Sequence, residues 1–181
     1  MLLPRTIALV VVLTLAGSLA GCAPTNSLPT PSLTPPATSQ DLLNPALVPL
    51  TLDVVTAETA SVEGTRLGDA VQALIDPATI VNVDDKSQVS PAQGELPAYY
   101  VVFRTITLDP SVDCLTLAET LATVLGKSGW SLEQSTNEGG IYLAALAGGA
   151  DSSWFTLIGG DASVEGQSVV TFQIASPDIV A

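Results

Sequence analysis

Paired carboxylates are the main option that this sequence leaves for catalysis, because histidine is absent and there are only two cysteines. Without histidine the chain has no Ser-His-Asp triad, no Cys-His pair and no His-containing zinc site. Asp84 and Asp85 are adjacent, and Glu133 and Glu138 are expected to straddle a turn. A hydrolase that uses only carboxylates needs two of them about 5–10 Å apart across a cleft. With 18 acidic residues such pairs arise by chance, so solvated surface charge is the favoured interpretation.

The short motifs that would hold a metal ion or a phosphate are also missing. No Asp-x-Asp-x-Asp-Gly calcium loop occurs, and no Ser-x-x-Lys arrangement supplies a nucleophile with a base. Gly148-Gly149 and Gly159-Gly160 lack the following Lys-Ser or Lys-Thr of a phosphate loop and suit hairpin turns. We therefore assign no catalytic residue, no metal ligand and no cofactor, and the sequence leans away from an enzyme without excluding one.

Arg104 is a candidate binding residue because it interrupts an apolar stretch that has strong strand propensity. An inward-facing guanidinium must pair with a carboxylate or bind an anion. An outward-facing arginine, whose aliphatic stem lies along the sheet, is the favoured expectation.

Four aromatic residues offer a second candidate for recognition. Tyr99, Tyr100, Trp130 and Trp154 could line a patch, since Tyr and Trp are favoured anchors at interfaces. Packing in the core or along the sheet is the more common use of such residues. With Arg104, we keep Tyr99, Tyr100 and Trp154 as candidate binding residues.

The N-terminus has the three parts of a secretory signal. Arg5 supplies the positive charge, Ile7–Leu19 is an uncharged apolar run, and small residues follow it in Leu19-Ala20-Gly21-Cys22. The run is shorter than the roughly 20 residues that a membrane-spanning helix needs, so a permanent span is disfavoured.

Placed directly after this run, Leu19-Ala20-Gly21-Cys22 resembles the lipobox of a bacterial prolipoprotein. The resemblance implies a signal peptide over residues 1–21, cleavage between Gly21 and Cys22, and a diacylglycerol with chains such as palmitate on the Cys22 sulfur. More than one acyl chain is needed for stable anchoring, and a diacylglycerol meets that need. The expected location is the cell membrane, with the protein facing the extracytoplasmic side. Ordinary signal cleavage is the alternative.

Composition divides the rest of the chain in two. Residues 22–40 are dominated by Pro, Ser and Thr and carry no charge, which predicts a disordered, extended tether after the lipidated cysteine. Residues 41–181 suit a single domain. Loss of the leader with its Arg5 takes the net charge from −13 to −14. Binding of nucleic acid or of an anionic polymer through charge is therefore not expected.

Cys114 would be left without a disulfide partner if Cys22 carries lipid. It lies near a predicted helix start, where a thiol can become more acidic. The favoured interpretation is that Cys114, a lone cysteine among leucines, is a small buried apolar residue.

Periodicity predicts an α+β fold, with two helices packed on one face of a mostly antiparallel sheet of about five strands. The helices are expected over Thr65–Asp76, capped by Thr65, and from Cys114 or Thr116 to Lys127, with a capping box of Thr116 and Glu119 and with Gly129 at its end. Strand-like stretches are Leu50–Val55, Thr79–Val83, Tyr99–Leu108, Trp130–Ser135, Ile141–Leu146, Ser153–Ile158 and Ser168–Ala175, with a surface loop over Asp84–Pro97.

Together these features predict a lipid-anchored envelope protein that works as a non-enzymatic binding or interaction module. Its partner would be an envelope protein or a wall component, met through the sheet or the loop tips. The alternatives are a small-molecule or cation-binding lipoprotein and, less favoured, a carboxylate-based hydrolase. A closed polar pocket would favour the first alternative, facing acids the second, and an exposed apolar patch a protein partner.

Overall fold

The computed structural model describes residues 44–151 and 153–180. The predicted signal peptide, Cys22 and the tether lie outside the described residues. Within the described ranges, neither helix is long and apolar enough to cross a bilayer.

Two helices and a seven-stranded antiparallel sheet make up the described part of the chain, which confirms the α+β prediction with more strands than the expected five or so. The sheet order is β1-β3-β7-β6-β5-β4, and β2 pairs with β3 on the same side as β1. The helices are α1 (Ala57–Gln72) and α2 (Cys114–Lys127); the strands are β1 (Ile80–Asp85), β2 (Gln88–Ser90), β3 (Tyr99–Leu108), β4 (Ser131–Glu138), β5 (Ile141–Gly148), β6 (Trp154–Asp161) and β7 (Val169–Ala175).

Both helices cover the same face of the sheet, as expected. α1 packs on β3 and β7, and α2 packs on β5, β6 and β7. Alternate strand residues on this face are fully buried, as the side-chain period of two requires; they include Val102, Ile106, Ile158, Val170, Phe172 and Ile174. We call the side of the sheet opposite α1 and α2 the open face.

The first helix begins eight residues earlier than predicted. Thr56 caps α1, because its hydroxyl accepts from the Thr59 backbone N–H while the Thr59 hydroxyl accepts from the Thr56 N–H. Thr65 therefore lies inside α1, and the predicted cap there is wrong. Gly64 also lies inside the helix, where a Cβ would be 3.0 Å from Tyr100 Cδ1, so the glycine lets α1 approach β3.

The end of α1 is also earlier than predicted, at Gln72. Asp76 accepts a hydrogen bond from the Ala78 N–H and caps a separate 3₁₀ turn, Pro77–Thr79. The side-chain oxygen of Asp76 therefore starts a new turn instead of closing the helix.

The second helix begins at Cys114, one of the two predicted starts, but its cap differs from the prediction. Asp113 accepts from the N–H groups of Leu115 and Thr116, and the Thr116 hydroxyl also donates to it. An aspartate outcompetes the expected box because its carboxylate satisfies two backbone donors at once.

The end of α2 confirms the prediction for Gly129, which takes φ of 94°. The Trp130 N–H donates to the Leu125 carbonyl at 3.2 Å, which closes the left-handed turn that usually ends a helix.

Two further predictions are wrong because the backbone of each segment forms hydrogen bonds with groups that the local sequence does not reveal. Leu50–Val55 is not a strand, since the Leu50 N–H donates to the Glu63 carboxylate instead of to a neighbouring strand. β2 lies within the predicted Asp84–Pro97 loop because it adds to the free edge of β3.

The segment before α1 is held to the domain by one buried side chain and by several polar contacts. The Leu47 side chain is fully buried, and Trp130 Nε1 donates to the Leu47 carbonyl at 2.7 Å. Arg66 donates to the carbonyls of Ala46 and Val48 and to the carboxylate of Glu63. We call this segment, Asn44–Leu50, the N-terminal clasp.

Candidate functional site

Arg104 lies on the helix-covered face of the sheet, so the favoured outward orientation is wrong and the inward alternative is correct. Its guanidinium donates to Asp85 at 2.8 Å and to Gln72 at 3.1 Å, and it forms an ion pair with Asp69 at 2.8 Å. A Cβ on Gly68 would lie 2.8 Å from Val102, so this glycine lets α1 come down over the arginine. The group braces β3 to β1 and to α1.

The surroundings of Arg104 and Asp85 favour the charged form of each. Burial alone would lower the pKa of Arg104, but hydrogen bonds and the charges of Asp85 and Asp69 outweigh it and raise the pKa. Burial similarly opposes ionisation of Asp85, yet hydrogen bonds from Ser87 and Arg104 hold its pKa below the ordinary value. Since its own carboxylates already neutralise Arg104, the cluster is a structural brace and not a ready anion site.

The predicted aromatic patch does not assemble. Trp154 and Trp130 are 2% and 3% exposed and belong to the core, which is the use that the sequence favoured for them. Tyr99 and Tyr100 are both half-buried and, as neighbours in β3, point to opposite faces. Tyr100 packs under Gly64 of α1.

The two acid pairs do not face each other across a cleft. Asp84 is exposed and pairs with Lys86 at 2.9 Å, while Asp85 points to the other face toward Arg104. Glu133 and Glu138 are exposed on β4. In residues 44–151 and 153–180, no three acidic or cysteine side chains come together as a group that could hold a metal ion.

Cys114 is buried at the first turn of α2, as expected of a small hydrophobe. Gly160 of β6 lies directly against it, since a Cβ there would be 2.6 Å from the Cys114 carbonyl oxygen. The thiol is therefore packed between a helix and the sheet.

The feature that sequence reasoning missed is the apolar surface of the open face. Ile141, Leu143 and Phe155 are 46%, 44% and 39% exposed although they are large apolar side chains. They lie on β5 and β6 together with Ala145, Ala147 and Leu157. We call these six residues the apolar patch.

A shallow groove runs across the apolar patch. It has a volume of about 260 Å³ and is lined by Leu143, Ala145, Phe155 and Leu157, with Gln134 and Thr136 of β4 on its outer side. Ala145 pairs with Leu157 in the register and is the smallest of these side chains. The groove is open and mostly apolar, so it suits a projecting side chain of a partner better than an enclosed metabolite.

A signal for this surface was present in β5. The stretch from Ile141 to Ala147 is almost continuously apolar, a pattern typical of strands covered on both faces. In the structure the helices cover one face of β5, and no described residue range covers the other.

Other depressions are less suited to binding. A recess lined by Leu50, Leu52, Trp154 and neighbouring residues has a volume of about 70 Å³, below the roughly 300 Å³ of typical small-molecule sites. A wider groove of about 440 Å³ between α1 and β1 is lined by Asp69 and Gln72, whose side chains already bind Arg104.

Comparison with known proteins adds no relative: no protein-family model, no curated protein and no solved structure matches this chain.

Proposed function

We propose that this protein is a lipid-anchored binding module of the cell envelope, which docks an envelope protein on the apolar patch of its open face. The observation that carries the proposal is the exposure of Ile141, Leu143 and Phe155 on one face of the neighbouring strands β5 and β6. Water-exposed apolar area is costly, and a contiguous patch of this kind marks an interaction site in many soluble domains.

The size of the open face is consistent with a protein partner. Strands β3, β7, β6, β5 and β4 span about 24 Å across, and most of them run for about 25 Å, which gives roughly 600 Å². That area approaches the share that one partner contributes to a standard interface.

The anchor supports the same function through Leu19-Ala20-Gly21-Cys22 and the uncharged tether over residues 22–40. The clasp would fix the point at which a tethered domain begins, because Leu47 and its neighbours are bound to the core. The strongly negative net charge leaves little electrostatic attraction to anionic lipid, so lipid on Cys22 is the expected means of attachment.

Photo-crosslinking in intact cells tests the binding and the anchor together. A benzophenone amino acid at position 143 or 155 is expected to form an adduct with another protein, whereas the same group at position 62, an exposed valine of α1, is not. Cys22→Ser is expected to release the chain from the membrane fraction, and Cys114→Ser serves as the matched cysteine control.

Each half of the test has a contradicting outcome. Adducts that are equally frequent at positions 62 and 143 would contradict docking of a partner on the open face. A Cys22→Ser variant that stays membrane-bound and unprocessed like the wild type would overturn the anchor.

A further inference from the structure

The open face carries negative charge at one end of the apolar patch. In the strand register, Ile141 lies between Glu138 of β4 and Asp161 of β6. The backbone N–H and the hydroxyl of Ser163 both donate to the Asp161 carboxylate, at 2.9 and 2.6 Å. These hydrogen bonds hold the pKa of Asp161 below its ordinary value. Both side chains are exposed, so they are available to a partner.

These two carboxylates have no cation among the described side chains. Arg66 pairs with Glu63, Arg104 with Asp69 and Asp85, and Lys86 with Asp84. Lys127 lies at the end of α2, on the helix-covered side of the sheet. An apolar patch with an unmatched acidic end is complementary to a surface that is apolar at its centre and basic at one side.

We propose that the partner is a protein that places an apolar side chain in the groove over Ala145 and a lysine or arginine against Glu138 and Asp161. This rests on the proposed function of the open face. The geometry is specific: Ala145 and Ile141 are four residues apart on β5, so the partner's apolar anchor and its cation should be about 13 Å apart.

Two other occupants are disfavoured by the same charges. A second copy in a symmetric contact would offer this same face, on which Lys86, at the far edge beside β3, is already paired with Asp84. The chain's own residues 22–40 contain no charged side chain, so the predicted tether cannot neutralise Glu138 or Asp161 either.

Three synthetic peptides, titrated against the full chain in detergent micelles, test the partner's chemistry. The first has a Trp-Leu pair followed four residues later by two lysines. The second replaces the lysines by glutamates, and the third keeps the lysines but replaces Trp-Leu by Gly-Ser. Binding is read from chemical-shift changes of β5 and β6 amides.

The first peptide is expected to bind about fivefold or more tighter than each of the others at low salt, since each exposed ion pair contributes up to about 1 kcal/mol. Its advantage over the glutamate peptide should shrink at high ionic strength because exposed charges are screened. Equal binding of the lysine and glutamate peptides would overturn the inference.

Matched variants locate the effect. Glu138→Gln with Asp161→Asn removes two charges from the open face, and the asparagine can still accept from Ser163. Glu58→Gln with Asp76→Asn removes two charges from the helix side. Only the first double variant should abolish the preference for the lysine peptide over the glutamate peptide. If both double variants lose this preference equally, the preference reflects net charge alone and the inference is overturned.

Failure of this inference is distinguishable from failure of the proposed function. A crosslink from position 143 to another protein, unaffected by Glu138→Gln with Asp161→Asn, would leave the function standing and refute the basic partner. A crosslink to a second copy of this chain would overturn the partner class directly, and absence of any adduct would overturn the function itself.

Discussion

Arg104 and its two acidic partners differ in burial, so removing the arginine and removing the acids should have different effects on stability. The arginine side chain is almost fully enclosed, while the side chains of Asp69 and Asp85 are 65% and 41% exposed. Without the arginine, both acids remain in contact with water. Without the acids, a cation is left under a helix with Gln72 as its remaining partner.

We therefore expect Arg104→Met to cost about 1 kcal/mol of unfolding free energy, and Asp69→Asn with Asp85→Asn to cost about 2–3 kcal/mol. Urea unfolding monitored by tryptophan fluorescence measures both. An Arg104→Met variant that is less stable than the double asparagine variant would contradict this account of the brace.

At the scale of elements, two sets of contacts hold the N-terminal clasp: the ion pair of Arg66 with Glu63, and the packing of Leu47 in the core. Glu63 has a side chain that is 4% exposed, and it receives Nε and Nη2 of Arg66 at 2.6 Å each. The hydrogen bond with Glu63 is the main cause that raises the pKa of Arg66. On the other side Leu47 fills space beside Trp130.

Arg66→Ala is expected to destabilise the domain by about 2 kcal/mol, because it leaves the buried Glu63 carboxylate without its cation. Hydrogen exchange should quicken at the Leu50 amide, which donates to Glu63, and much less at the Phe172 amide in the central strand β7. Lys127→Ala is the matched control, since this lysine forms no ion pair with the described residues. Equal effects of the two variants would show that the clasp does not depend on Arg66.

At the scale of the whole molecule, several aspartates accept hydrogen bonds from residues that follow closely in the chain. Hydrogen bonds from hydroxyl and backbone N–H groups of nearby Ser or Thr residues lower the pKa of Asp109, Asp113, Asp151 and Asp161. A carboxyl whose pKa is lower in the folded state stabilises that state above its unfolded pKa, and the contribution is lost as the pH falls through the folded value.

The urea midpoint is therefore expected to fall steadily as the pH drops below about 4, the ordinary pKa of aspartate. Asp113→Asn should flatten this fall, because asparagine caps α2 without titrating. Unfolding series between pH 2 and pH 7 measure the slope. Identical slopes for the wild type and Asp113→Asn would contradict a role for this cap in acid stability.

Local chemistry was sufficient to predict several elements. β3 has the predicted bounds, Tyr99–Leu108, since nearly all its side chains suit a pleated surface. Gly129 ends α2 as predicted, because only glycine takes a left-handed φ at little cost. The lipobox at Cys22 is equally local in origin and stays a prediction.

The tertiary structure alone decided features that depend on a distant neighbour. Gly64 lets α1 pack closely over Tyr100 of β3, and Arg104 turns inward where Asp69, Asp85 and Gln72 of other elements meet it. The open face is the clearest case. A strand's sequence shows that both its faces are apolar, but which face the helices cover depends on where the whole chain places them.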